Sequence, residues 1–216
     1  MVTFIRNKLK IIPKAYSEED YTKQLDDVAK YCLSVEDGAV KNICFSKITP
    51  KPNHLKEESK EEDEWYLHNW GTRYKALNAC WINDEEMIYD TFWNPSLPIV
   101  IKIIKTFPQT DFEFKFASKR AGTKTGKIIA SKGKIISFER FKNFSKEAYE
   151  TAFELMPHLR MLYSLNKQTN TYYYNTSDFD ESIKQNGYYK DTDGSVLIGC
   201  DDKKKPLFNN IDDLPF

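Results

Sequence analysis

The side chains able to do chemistry are scattered along this chain. Its three histidines, His54, His68 and His158, have no partner at the spacing of a zinc finger or a metalloprotease. Cys44, His54, His68 and Cys80 follow one another irregularly, so neither a metal site nor any other cofactor is expected. Gly122-Thr-Lys-Thr-Gly126 has the glycines of a phosphate loop. However, Lys127 is followed by Ile128, not by the hydroxyl residue that would hold magnesium. There is no Gly-x-Ser-x-Gly elbow. Acid pairs such as Asp26-Asp27 and Glu61-Glu62 fall in segments expected to be exposed and read as solubilising charge. With no nucleophile or base in a recognisable setting, the chain is expected not to be an enzyme.

What remains is the chemistry of rings and cations. Trp65–Tyr74 (WYLHNWGTRY) and Phe92–Pro98 (FWNPSLP) hold three of the four tryptophans. Asn69 can tie a turn, and Gly71 can take the positive φ of a sharp bend. Arg73 would then lie beside Trp70 and Tyr74. Trp93 precedes Asn94-Pro95, which can lead into a helix N-terminus, and such a terminus with an Arg and flat rings would seat a phosphate or nucleotide. Lys115–Lys134 carries seven basic residues and no acid. Lys119, Arg120, Lys124 and Lys127 would neutralise phosphates while Trp70, Arg73 or Trp93 stack on bases, which is what a single strand of DNA requires. The competing readings are tryptophans that cap the core around a turn made by Gly71, and an edge hairpin merely decorated with lysine.

These residues must be positioned by a modest core. Hydrophobic residues make up 40% of the 216, but 14 Phe, 13 Tyr and 4 Trp make them large. The 32 basic and 32 acidic residues cancel, which excludes a global polycation and confines any nucleic-acid site to a local patch. Four separated cysteines read as reduced thiols. No apolar run is long enough to span a membrane, and Met1–Ile12 is too charged for a signal peptide, so a cytoplasmic protein of a bacterial host cell is expected, with no membrane partner.

Loose alternation predicts a strand over Val2–Ile12, ended by Pro13. Ser17 followed by Glu18, Glu19 and Asp20 predicts a helix to Leu33. After a turn at Asp37-Gly38, a strand is expected over Lys41–Ile48. Pro50–Glu64, with six acids and two lysines between Lys56 and Glu64, reads as a solvated loop. A hairpin follows, Ala76–Ile82 with Glu86–Phe92, then a helix over Leu97–Phe107, a strand over Asp111–Ala117 and a basic hairpin over Lys115–Lys134. Ser145 starts a helix expected to pass a kink at Pro157 and reach Leu165. Tyr172–Tyr174, Tyr188–Tyr189 and Val196–Ile198 suggest a small hairpin system turning at Asp193-Gly194. The order approximates a split βαβ unit with extra strands.

Asn69-Trp70-Gly71-Thr72-Arg73-Tyr74, Phe92-Trp93-Asn94-Pro95 and Phe107-Pro108 resemble the YubB-like family of phage and plasmid proteins. The neighbourhood of Asn7 fits as well. Arg73, Tyr74 and Asn94-Pro95-Ser96 depart from that family's usual residues. The resemblance covers roughly Val2–Lys134 and implies an α+β, ferredoxin-like domain with a mainly antiparallel sheet, in a mobile-element setting. Residues 1–136 are then the ferredoxin-like domain, 137–200 a helix with a small β extension, and 201–216 a flexible tail. The tail ends in Asp212-Asp213-Leu214-Pro215-Phe216, which resembles the C-terminal tip of bacterial single-stranded DNA-binding proteins. That resemblance implies an apolar ring and a terminal carboxylate entering a basic-rimmed pocket of host replication or repair proteins. The expected function is therefore a single-stranded DNA-binding protein of replication or recombination, for which an oligomer is allowed. Two alternatives stand beside it: a protein that sequesters a nucleotide signal, and an adaptor that only displays the tail.

Overall fold

Alternation along residues 4–13 makes the central strand. In β1 (Phe4–Pro13), Ile5, Asn7, Leu9 and Ile11 are buried on one face while Arg6, Lys8 and Lys10 lie on the other. The computed structural model describes residues 3–36, 39–175, 189–190 and 196–197. β1 is flanked by β5 (Glu86–Phe92) and β6 (Thr110–Ser118), antiparallel to both. β4 (Leu77–Trp81) lies outside β5, and β7 (Gly126–Ser131) and β8 (Lys134–Arg140) lie beyond β6, giving a six-stranded order β4-β5-β1-β6-β7-β8.

Two helices cover the apolar face. α1 (Glu18–Cys32) starts at Ser17, whose Oγ accepts from the Asp20 amide at 3.1 Å. α4 (Leu97–Thr106) has proline in its first turn, where a missing N–H costs nothing. Val28, Ile99 and Ile103 meet Leu9, Phe112, Phe114, Phe116 and Ile128 in one core. Each such side chain stabilises by about 1.5–3 kcal/mol. The path β1, α1, β4, β5, α4, β6, with β5 and β1 inserted between the strands of each βαβ unit, is the ferredoxin-like α+β fold, extended here by β7 and β8.

The expectations for residues 33–70 need correction. The second strand ends early: β3 (Ala39–Ile43) pairs only with β2 (Leu33–Glu36), outside the main sheet, and Phe45–Ile48 is the short helix α2. The charge-dense run is no simple loop, because Lys60–Asn69 forms helix α3. Ser59 Oγ caps it by accepting from the Glu62 amide at 3.1 Å, and acids fill its positive first turn. Glu62 itself is buried, receiving Lys51 Nζ at 2.5 Å, the Glu58 amide at 2.8 Å and the Tyr66 hydroxyl at 3.1 Å.

The opposite face of the sheet receives α5 (Lys146–Leu155), where Tyr149, Phe153 and Tyr172 pack on Ala117 and Ala121. This helix stops at Leu155 instead of reaching Leu165. Pro157 cannot donate the next helical bond and restricts Met156, so a 3₁₀ turn (Pro157–Leu162) and a strand, β9 (Tyr163–Asn166), follow. β10 (Thr171–Tyr174) pairs with β9, while Tyr189–Lys190 pairs separately with Val196–Leu197. The expected domain boundary at 136/137 falls inside β8, which stays paired with β7 through Arg140. The turns at Asp37-Gly38 and Asp193-Gly194, the tail 201–216 and its Asp212–Phe216 tip lie outside the described residues. Among the described residues, no helix is long and apolar enough to cross a membrane.

Candidate functional site

The two tryptophan-bearing stretches clasp one another. At the end of α3 the Trp70 amide bonds the Tyr66 carbonyl at 2.8 Å, and Gly71 reverses the chain with φ +79°. A Cβ on Gly71 would stand 2.7 Å from the Pro95 carbonyl oxygen and 2.9 Å from Pro98 Cδ, so only glycine lets α3 approach the start of α4. Thr72 Oγ1 donates to the Phe92 carbonyl at 3.0 Å.

The clasp corrects the expectation for Trp70. Its ring is 6% exposed, lies against Phe45, Trp65 and Tyr66 with centroids 4.5–5.8 Å away, and donates its indole N–H to the Thr49 carbonyl at 2.9 Å. It offers no face to a base. The nucleotide seat is not assembled either. Ser96, Leu97 and Pro98 at the start of α4 are buried beneath Gly71, and Arg73 turns to Asp63 of α3, with Nη1–Oδ2 at 3.1 Å.

Trp93 is placed differently. β1 begins, β5 and β6 end, and the loop to β7 turns at the same end of the sheet. There Trp93 sits at the centre of a tight turn closed by the Asn94 amide on the Phe92 carbonyl at 2.7 Å, with φ +61°. A bulky residue in this left-handed region is a true outlier and is held only by surrounding structure. The holding bonds are visible. The Trp93 amide donates to the Thr3 carbonyl at 2.8 Å, and Lys124 Nζ donates to the Trp93 carbonyl at 3.0 Å. From within the core, Asn7 Nδ2 donates to Thr91 Oγ1 at 3.0 Å, and Thr91 Oγ1 donates to the Asn94 carbonyl at 2.7 Å. This relay gives Asn7 and Asn94 a shared physical role.

Around Trp93 the rings form a continuous edge. Phe92 meets Phe4 at 4.8 Å, Tyr74 at 5.0 Å and Trp93 at 5.7 Å, and Tyr74, 51% exposed, meets Trp93 at 5.9 Å. Lys119 lies over Phe4, its Nζ 4.8 Å from the centroid. The same Nζ is 2.8 Å from Oδ2 of Asp90, a side chain with no exposed surface that also receives Arg6 Nε at 2.6 Å and Asn78 Nδ2 at 3.0 Å. Burial pushes the Asp90 carboxyl up, but the hydrogen bonds from Arg6, Lys119 and Asn78 and the charge of Arg6 outweigh it and hold the group below its ordinary range. One carboxylate therefore fixes two cations, Arg6 and Lys119, and the cluster carries net positive charge beside the rings.

Of the remaining expected residues, Arg120 joins this end, its guanidinium 5.9 Å from the Phe144 ring. Lys127 does not. It points from mid-sheet to Glu113 at 2.8 Å, within a lattice that pairs Lys115 with Glu113 and Glu154, and Lys8 with Glu154 and Glu86. Strand alternation is the reason: Lys127 is opposite Lys115, on the face where acids from β5, β6 and α5 converge. Sequence reasoning missed Phe4, Asn78 and Asp90, which share no spacing with the tryptophans. The alternation of β5 could have shown Asp90 on the same face as Arg6. Among the described residues no group of His, Cys, Asp and Glu is arranged to hold a metal ion.

No curated protein matches the chain. A solved structure of a protein Api92 from Yersinia pseudotuberculosis is similar at 13% identity and a TM-score of 0.36, over 49% of this chain and 43% of that one. The chain thus spans less than half the length of that relative. Residues 69–159, from the clasp through β8 and α5, match the family model for the ferredoxin-like domain in Api92-like protein.

Proposed function

We propose that the chain is a non-enzymatic binder of single-stranded DNA and that Trp93, not Trp70, is the centre of the site. The observation that carries this reading is the ring edge Phe4–Phe92–Tyr74–Trp93 with Lys119 over one end and Lys124 fastened to the other. Exposed rings take successive bases whatever their sequence, and lysines and arginines beside them take the phosphates. Arg120 extends the basic rim, while Trp70, Arg73 and Lys127 drop out of it, the first buried and the other two held by Asp63 and Glu113. The nucleotide-sequestering alternative loses support because its seat at the start of α4 is sealed.

The same proposal includes a YubB-like character, a phage or plasmid setting and a role in replication or recombination. The Asp212–Phe216 tip would recruit host replication or repair proteins. The test is fluorescence anisotropy of a labelled single-stranded oligonucleotide at low and moderate salt. Binding that weakens steeply with salt, and weakens further on Trp93→Asn, is expected. Absence of binding at low salt removes the DNA reading. Pull-down from a bacterial lysate with and without Leu214–Phe216 then tests the tail: capture that depends on these residues in a protein without DNA affinity leaves an adaptor.

A further inference from the structure

Phe144 shares with Trp93 a combination that neither residue type favours. Its backbone is also left-handed, with φ +63°. The Ser145 amide closes a turn on the Lys142 carbonyl at 3.0 Å, which puts Phe144 at the third position with positive φ there, where glycine or asparagine is the usual occupant. The residue is 40% exposed, and the Arg120 guanidinium lies over its ring, 5.9 Å from the centroid. Two large rings are thus held in a backbone region that costs energy, at one end of one sheet.

The same loop fastens both. The Phe144 amide donates to the Gly122 carbonyl at 2.7 Å, and the Lys124 amide donates to Asn143 Oδ1 at 3.2 Å, while Lys124 Nζ reaches the Trp93 carbonyl. Gly122, at φ +78°, lets this strap lie on α5. A Cβ there would meet the Tyr149 ring at 2.8 Å, and Tyr149 is the ring that backs Phe144, at 6.4 Å. Trp93 is backed instead by Tyr74 and Phe92, and among the described residues no ring contact joins Phe144 to Trp93. The two are separate platforms, and the strap between them carries Arg120 and Lys124.

We propose that Phe144 is a second base-stacking residue and that the ligand is an oligonucleotide laid across both platforms, its linking phosphates over the 120–124 strap, instead of a mononucleotide. The inference rests on the single-stranded DNA reading above. A single base covers one ring, so affinity must rise once a strand is long enough to reach the second. Strain held in two aromatic turns, one exposed at Phe144 and one half-buried at Trp93, fits a surface set in advance for its ligand.

The experiment compares wild type, Phe144→Asn, Phe144→Tyr and Trp93→Asn, using thymidine monophosphate and thymidine oligonucleotides of increasing length in low salt. Asparagine accepts a left-handed backbone, so the ring is removed without forcing the turn. Phe144→Asn is expected to lose about tenfold in affinity for the longer strands and to flatten the rise of affinity with length. Phe144→Tyr keeps the rise. If Phe144→Asn follows wild type at every length while Trp93→Asn still weakens binding, the second platform is wrong and the DNA reading survives. If Phe144→Tyr fails as fully as Phe144→Asn, the ring serves packing and the inference falls. If wild type binds no oligonucleotide, both readings fall together.

Discussion

Trp70 and Trp93 belong to two stretches that touch, yet the fold uses them in opposite ways. Trp70 follows a helix, turns inward and satisfies its N–H on a carbonyl, and its neighbours are rings of the core. Trp93 follows a strand, occupies a left-handed turn and keeps part of its surface in solvent, with Lys124 fastened to its carbonyl. Residue type set neither outcome. What separates them is the backbone each inherits: the close approach of α3 to α4 leaves no outward room at position 70, whereas the end of β5 projects position 93 past the sheet.

The comparison breaks most directly through stability. Trp70→Ala should cost about 4 kcal/mol, read as a fall in the urea midpoint, because it opens a large cavity and strands the Thr49 carbonyl. A loss under about 1 kcal/mol would mean that Trp70 is no more a core residue than Trp93. Next in size is Asp90→Ala, at about 2 kcal/mol. The removal of a buried acid leaves Arg6 and Lys119 uncompensated, but both reach solvent, which softens the penalty. The sign with pH follows. A carboxyl held low in the folded state stabilises above its unfolded value near pH 4, and that stability is lost as pH falls through the lower folded value. Wild type should therefore lose stability below about pH 4 more steeply than Asp90→Asn in acid titration followed by circular dichroism.

Trp93→Asn should reverse the Trp70 pattern. Oligonucleotide affinity should fall about tenfold, equivalent to about 1.4 kcal/mol. Stability should change by less than about 1 kcal/mol, and upward, because asparagine relieves the left-handed strain. A strongly destabilised Trp93→Asn would erase the contrast. The smallest effect is electrostatic: Lys119→Ala or Lys124→Ala should each lower the slope of log affinity against log salt by about one, while Lys127→Ala should leave it unchanged.

Much of the frame was legible in residues 76–134. Alternation at Phe112, Phe114 and Phe116 marked β6, and the proline-led apolar face marked α4, because both bury a regular stripe. α3 was not, since Trp65, Tyr66 and Leu67 are consecutive and break helical periodicity. The Ser59-Lys-Glu-Glu62 cap was the signal that mattered there. At the site, the pairing of rings with cations was readable, but its geography was not. Whether a lysine stands beside a ring or an acid depends on strand register, as Lys119 and Lys127 show. The left-handed turns at Trp93 and Phe144 run against residue preference, so nothing local announces them.

Both outermost strands of the sheet contain one residue more than the partner they face. β4 gains it between Leu77 and Cys80, and β8 gains it at Ile136, the one residue between the partners of Ala130 and Ile129. Such bulges throw the free amides and carbonyls out of step, so a neighbouring molecule meets no straight row to zip onto. Among the described residues that protection lies on both flanks of the sheet, so neither side offers a second copy of the chain a regular edge to extend.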